Sequence, residues 1–272
     1  MKGFQKVVKY VAIAFGLYLA ISIIGAIVTG VLAITTGIYG ISIISNQTQI
    51  ERVDSEEVME QFSKMDLEIT ASNIVIKAEG NEYKIETYQV PKTTQINNDN
   101  GKLVIKDTKK IAIAQESKIT IYVPEGIVLE ELELEMGAGI VEMQNINSNK
   151  IDFSFGAGSV NIKKLTSTNA EIECGAGQVV IEEANLTNTK LDTGIGKLEY
   201  LGYMKGNSKI SCGIGEVNLN LVGGNEIYTI DAEKGIGDIK INGNKIANEK
   251  ITGNGENRIF INGGIGSINI EI

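Results

Sequence analysis

The side chains in this sequence that are best spaced for chemistry are carboxylates that recur at a constant interval in two series. If segments of that length stack like strands of a sheet, neighbouring carboxylates lie about 5 Å apart, close enough to share a calcium ion or to act as a catalytic pair. However, the calcium nonapeptide Gly-Gly-x-Gly-x-Asp is absent, and Ser154 and Ser211 interrupt the second series. We therefore interpret both series as a solvated outer face, with cation binding as the alternative. The two series are Glu133, Asp152 and Glu171, and Glu135, Glu173 and Asp192.

The two cysteines, Cys174 and Cys212, are separated by two of these intervals. Stacking places them about 9.6 Å apart, beyond the limit of about 7 Å between the Cα atoms of a disulfide. The sequence contains no histidine, so neither a Cys–His nucleophile nor a Cys/His metal site can form. We predict that both cysteines are small buried hydrophobic side chains, and that the protein has no metal site and no cofactor.

Two enzymatic interpretations find little support in the sequence. The run from Gly175 to Ile181 resembles a dinucleotide fingerprint, but it lacks the third glycine and a following helix, and its glycine pattern occurs seven times. A polysaccharide-cleaving β-helix would need basic residues clustered on one face, whereas the lysines at positions 163, 164, 190 and 209 are scattered near predicted turns. We predict a non-enzymatic protein without catalytic residues, and a polysaccharide-cleaving enzyme is the least favoured alternative.

The elements that must position these side chains are organised by a repeated Gly-x-Gly unit. The first five copies are evenly spaced, and the last two intervals are longer. A fixed period of about 20 residues indicates stacked units that are each too small to bury an apolar face alone. The repeat glycines are Gly137 and Gly139, Gly156 and Gly158, Gly175 and Gly177, Gly194 and Gly196, Gly213 and Gly215, Gly235 and Gly237, and Gly264 and Gly266.

Each unit shows the alternation of a half-buried strand on both sides of its glycines. In the second unit, Ile151, Phe153 and Phe155 alternate with polar residues before the glycines, and Val160 and Ile162 do so after them. This pattern predicts an all-β fold. Specifically, it predicts a single-stranded β-solenoid, similar to a β-helix, with about 19 residues per rung and with equivalent positions stacked on one another.

The two ends of the predicted solenoid differ. Residues 65–130 hold less regular strands, as expected of a cap, and regular rungs follow from about residue 130, so the repeat domain is predicted to cover residues 65–272. The last unit runs uncapped to the final residue, which predicts an open strand edge able to pair with a partner or with a second copy. The residues at this predicted edge are Ile268, Ile270 and Ile272.

The N-terminal segment, residues 1–45, is predicted to be a cytoplasmic Lys-rich start followed by a transmembrane anchor. Residues 11–44 are almost continuously apolar, which exceeds the length of about 20 residues that spans a bilayer. The lysines at positions 2, 6 and 9 are expected on the cytoplasmic side. We favour one tilted span, because a hairpin of two short spans would bury its turn in lipid. Residues 46–64 are predicted to form a linker with a short helix that begins near Asp54.

The distribution of charge restricts the class of partner. Three of the 25 basic residues and none of the 34 acidic ones lie in residues 1–45, which leaves 22 basic against 34 acidic side chains in the remainder of the chain. Such an acidic domain repels nucleic acids and anionic lipid surfaces. We therefore predict no nucleic-acid partner.

These features together resemble the bacterial "putative adhesin" family of β-strand-repeat proteins, a domain of unknown function. The resemblance rests on the Lys-rich start, the apolar segment and the Gly-x-Gly units bridged by alanine or isoleucine, and it covers about residues 60–272. It implies a membrane-anchored β-solenoid of the cell envelope, sometimes associated with envelope-stress regulation in Gram-positive bacteria. It brings no catalytic residues.

The predicted function is that of a single-pass cell-membrane protein whose extracellular repeat domain is an adhesin-like binding or structural surface. Cell-wall polymer and another envelope protein are the expected partners, and a homo-oligomer through the C-terminal rung is a further expectation. The alternative is a cytoplasmic scaffold resembling bactofilins, which would attach to the membrane by two spans and polymerise end to end.

Overall fold

Strands are the only regular elements in the computed structural model, which describes residues 51–107, 117–246 and 250–272. Among these residues, none forms a helix of the length and apolarity that crossing a bilayer requires. The predicted anchor in residues 1–45 lies outside the described residues. The strands are β1 (Arg52–Val58), β2 (Lys64–Ala78), β3 (Lys84–Pro91), β4 (Thr94–Asp99), β5 (Lys102–Asp107), β6 (Lys118–Val123), β7 (Leu129–Gln144), β8 (Ile146–Ile162), β9 (Leu165–Thr187), β10 (Thr189–Lys205), β11 (Asn207–Leu221), β12 (Tyr228–Ile241), β13 (Asn244–Lys245), β14 (Lys250–Gly253) and β15 (Asn257–Glu271).

The strands β2 and β7 to β11 lie parallel in sequence order, and each is hydrogen-bonded to the next. From β7 to β11 the glycines of successive repeats are direct partners, so that Gly139, Gly158, Gly177, Gly196 and Gly215 are aligned. The stacking and the rung length predicted from the glycine spacing are therefore confirmed. The fold is an all-β, solenoid-like stack of long strands, and each strand of the repeat bends at its two glycines.

Alternate side chains from both sides of each bend fill the interior of the stack. Phe155, Cys174, Thr193 and Cys212 occupy equivalent positions on four successive strands, and all four are buried. Both cysteines are free thiols, and burial raises the pKa of the Cys174 thiol. The interpretation of the cysteines as buried small side chains is thus confirmed, and a shared interior runs through successive rungs.

The C-terminal strand β15 lies inside the stack rather than at its end. It pairs in parallel with β11 on one side and with β12 on the other, and the repeat glycines of the three strands stay aligned. Ile268 and Ile270 are 3% and 0% exposed, and Ile272 packs partly buried against the core. The predicted open edge at Ile268, Ile270 and Ile272 is therefore wrong.

The turn after β12 explains this order of strands. The chain reverses at Asn242 and Gly243, whose φ values of 49° and 72° suit a tight hairpin. β13 and β14 then pair antiparallel with the outer edge of β12. Because β12 and β15 carry the same Gly-Ile-Gly pattern, β15 fits between β11 and β12, where the Ile272 N–H donates to Asn242 Oδ1 (2.9 Å).

The other end of the stack is capped by irregular strands and begins earlier in the chain than predicted. The segment expected to contain a short helix forms β1, which pairs antiparallel with β3. β3 pairs with β6, and β6 pairs with the second half of β2. β5 pairs with the first half of β2, and β4 pairs with β5. The helix signal at Asp54 fails because this carboxylate does not cap a helix but accepts a hydrogen bond from the Gln89 N–H (2.7 Å) across the β1–β3 pair.

Candidate binding face

A groove of about 450 Å³ lies on the outer surface of β9, β10, β11 and β15, on the segments that follow their bends. The intervening residues Ile181 and Tyr200 are buried, so the side chains available in the groove are the alternate, outward ones. These outward residues are Val180, Glu182, Glu199, Leu201, Asn218, Asn220, Asn269 and Glu271. We refer to this set as the groove.

One column of the groove crosses four strands in register. Val180, Glu199, Asn218 and Asn269 are successive partners on β9, β10, β11 and β15. The Asn269 Nδ2 group donates to Asn218 Oδ1 (2.9 Å), and Asn218 Nδ2 donates to the Glu216 carboxylate (3.0 Å). The two amides are therefore held in place while each retains hydrogen-bonding capacity for a ligand.

A bulge and a buried tyrosine shape the groove. The register between β9 and β10 shifts after Tyr200, so that the extra residue of β9 sits beside Leu201. Tyr200 lies beneath the surface and its hydroxyl donates to the Tyr203 carbonyl (2.8 Å). Burial raises the pKa of Tyr200 well above its ordinary value, which keeps this hydroxyl a neutral donor. The floor of the groove is thus rigid and packed.

The groove is acidic with a small apolar patch. Glu199 pairs with Lys197 at 2.5 Å, and this hydrogen bond raises the pKa of the lysine. Glu182 and Glu271 make no ion pair with any residue that the structure describes. Leu201 is 45% exposed beside them. Such a surface suits a ligand with hydroxyl or amide groups, a neutral or positive charge and some apolar area.

The two predicted acidic series lie before the bends, on a different face from the groove, and they are aligned on successive strands. Lys190 follows Glu171 in the first series, and its Nζ lies 2.5 Å from Glu171, 2.6 Å from Glu173 and 3.1 Å from Asp192. These contacts hold the pKa of Lys190 above its ordinary value. Across the described part of the chain, no group of three or more His, Cys, Asp or Glu side chains is arranged to hold a metal ion.

The groove residues were not among the site residues predicted from the sequence. The repeat glycines lie at the bends, and Ile268 and Ile270 lie inside the stack. Asn269, between these two isoleucines, points outward and meets Asn218 because β15 is inserted next to β11. The two asparagines are 51 residues apart, so the period of the repeat does not relate them. The alternation around Asn218 and Asn269 was the available signal, and it shows only that both side chains point outward.

The parallel stack with a polar groove on one face defines a β-solenoid-like repeat protein. The Toastrack DUF4097 family matches residues 62–261, and the chain belongs to this family. The resemblance to the "putative adhesin" proteins is confirmed by this match and by a solved structure of the same fold. No curated protein matches the sequence.

Two solved structures illustrate this similarity. A "putative adhesin" from Bacteroides fragilis is 18% identical, the match covers 81% of this chain and 97% of that one, and the TM-score is 0.56. A "putative cell adhesion protein" from Clostridium sporogenes is 19% identical over 81% of this chain and 99% of that one, with a TM-score of 0.38. At 18% identity, the similarity to the Bacteroides fragilis protein establishes the fold alone.

Proposed function

We propose that this chain is a non-enzymatic, adhesin-like binding protein of the bacterial cell envelope. The observation that carries the proposal is the groove, which places a row of hydrogen-bonded amides and carboxylates on the outer surface of the stack. A protein of similar fold is named a "putative adhesin", which supports binding as the function. The resemblance noted in the sequence extends the proposal to a role in envelope-stress regulation.

The proposal includes a single N-terminal membrane span with the repeat domain outside the cell. It is supported by the apolar run at residues 11–44 and by the three lysines before it. The cytoplasmic scaffold that polymerises end to end is less well supported, because β13 and β14 pair with the two ends of the outer edge of β12 and β15 is internal. We therefore do not propose a homo-oligomer through the C-terminal rung.

The membrane orientation can be tested with introduced cysteines on intact cells. Glu226 is exposed, so a Glu226→Cys variant should react with a membrane-impermeant maleimide before the cells are permeabilised. The natural cysteines are buried and should give no background in the unmodified chain. A Lys2→Cys variant serves as the cytoplasmic control. Labelling of Glu226→Cys only after permeabilisation would contradict an extracellular repeat domain.

The binding role can be tested with insoluble cell-wall material. We expect the full-length chain, purified in detergent, to cosediment with this material and the double variant Asn218→Ala, Asn269→Ala to bind about tenfold more weakly, because two ordered hydrogen-bonding groups are lost. Asn262→Ala is the matched control, since Asn262 is exposed on β15 but lies before the bend of this strand and outside the groove.

Treating the wall material with protease before the assay separates two kinds of partner. Loss of cosedimentation after protease would identify another envelope protein as the partner, whereas unchanged cosedimentation would identify a wall polymer. Equal cosedimentation of the double variant and the unmodified chain would show that the groove is not the binding surface.

A further inference from the structure

We propose that the groove binds an extended β-linked polysaccharide that carries free amino groups and lies along the stack, across the strands. This inference rests on the proposed binding function and names the class of ligand. Three observations carry it: the spacing of the column, the chemistry of its side chains and the sign of its charge.

The spacing matches an extended sugar chain. The column from Val180 to Asn269 crosses four strands in register, so it presents one side chain about every 4.8 Å over about 14 Å. In an extended β-linked glycan each sugar advances by close to one such step. Successive sugars lying along the column would therefore meet successive rungs, whereas a coiled α-linked chain would lose this match.

The side chains of the column suit the two kinds of surface that a sugar presents. Asn218 and Asn269 can donate to and accept from hydroxyl groups, and their mutual hydrogen bond (2.9 Å) fixes both amides before a ligand arrives. Leu201 and Val180 add apolar surface at the same groove for the C–H face of the ring. The groove therefore offers oriented polar groups beside an apolar contact, as ligand sites in proteins commonly do.

The charge of the groove selects among polysaccharides. Glu182 and Glu271 have no cationic partner among the described residues, and only Glu199 is paired, with Lys197. Two unpaired carboxylates repel a polymer of uronic acids or phosphates and attract ammonium groups through charge-assisted hydrogen bonds. The ligand that complements this groove is accordingly an amino-sugar polymer with unacetylated amines.

The test uses three hexasaccharides with the same β-1,4 linkage and different groups at carbon 2: glucosamine, N-acetylglucosamine and glucose. Binding to the full-length chain in detergent is measured by calorimetry at a pH where the amines are protonated. We expect the glucosamine hexamer to bind at least tenfold more tightly than the glucose hexamer, and the difference to shrink as salt is raised. Equal affinities, or tighter binding of the glucose hexamer, would overturn the inference.

Two sets of variants assign the effect to its residues. Glu182→Gln with Glu271→Gln should abolish the preference, so that the glucosamine hexamer binds no more tightly than the glucose hexamer. Asn218→Ala should weaken binding of all three. Glu135→Gln, on the face before the bends, is the matched control and should change none of the affinities. A preference that survives in the Glu182→Gln, Glu271→Gln variant would overturn the role assigned to the charge.

The result also separates this inference from the binding function on which it rests. Cosedimentation with wall material that depends on Asn218 and Asn269, combined with equal affinities for the three hexamers, would retain the groove as a binding site and reject the amino-sugar ligand. If cosedimentation does not depend on Asn218 and Asn269 and the three hexamers also bind equally, the groove is rejected as a binding site as well.

Discussion

Replacing Gly215 by alanine should lower the free energy of unfolding by more than about 4 kcal/mol, at the extreme end of single substitutions. The φ of Gly215 is 148°, a conformation that residues with a side chain rarely adopt. A Cβ atom at this position would lie 1.8 Å from the backbone oxygen of Gly196 on the neighbouring strand and 2.8 Å from its carbonyl carbon. Both contacts are with backbone, so relief would require the two rungs to separate at the bend.

Thermal unfolding of the full-length chain in detergent, followed by far-ultraviolet circular dichroism, measures this effect. A loss of this size corresponds to a fall in Tm of roughly 10 °C. Gly126→Ala is the control, because Gly126 has a positive φ of 80° but nothing within 4 Å of the added Cβ. It should cost only about 1–2 kcal/mol, which is the penalty of the backbone conformation alone. Similar losses for the two variants would show that the rungs are not in close backbone contact at the bends.

The second large effect is expected at Ile270 in the inserted strand. Ile270→Asp should destabilise the protein by about 4 kcal/mol or more, because the side chain is fully buried and an aspartate there would be an unpaired charge inside the stack. Ile236→Asp on the adjacent strand β12 is the control. Ile236 is 74% exposed at the bend, so its replacement should change stability by about 0.5 kcal/mol or less.

Hydrogen exchange then tests the order of the strands. β15 pairs on both sides along its length, so its amide hydrogens should exchange as slowly as those of β10. If β15 were the terminal rung instead, one edge would be open, its amides would exchange faster, and the charge at Ile270→Asp would be tolerated more easily. Fast exchange in β15 would therefore contradict its place between β11 and β12.

Much of the fold could be predicted from local pattern, because each repeat carries the same apolar alternation and the same two glycines. The alternation around Phe153 predicts strands, and the even spacing of glycines such as Gly158 and Gly177 predicts the register, since any other register would set a side chain against backbone at the bend. The prediction of a helix near Asp54 was wrong. It rested on a local capping pattern, whereas the segment forms β1 by pairing with β3, which lies about 30 residues later in the chain.

The groove could not be predicted in the same way. Asn218 and Asn269 are 51 residues apart and become neighbours only because the chain turns back after β12 and β15 enters beside β11. The sequence of the last three rungs is compatible with more than one stacking order, since β11, β12 and β15 share the Gly-Ile-Gly pattern. Which order forms depends on the hairpin at Asn242 and on the edge pairing of β13 and β14.

The amino-acid sequence by itself determined the all-β architecture, the rung length, the bends and the burial of the two cysteines, because each follows from the periodic placement of small and apolar residues. Only the tertiary structure decided the order of the last rungs, the strand at the N-terminal cap and the groove that joins β9, β10, β11 and β15. The physical reason is that repeated strands are interchangeable in their local pairing, so the neighbours of each strand are selected by non-local turns and edges that leave no periodic signal in the chain.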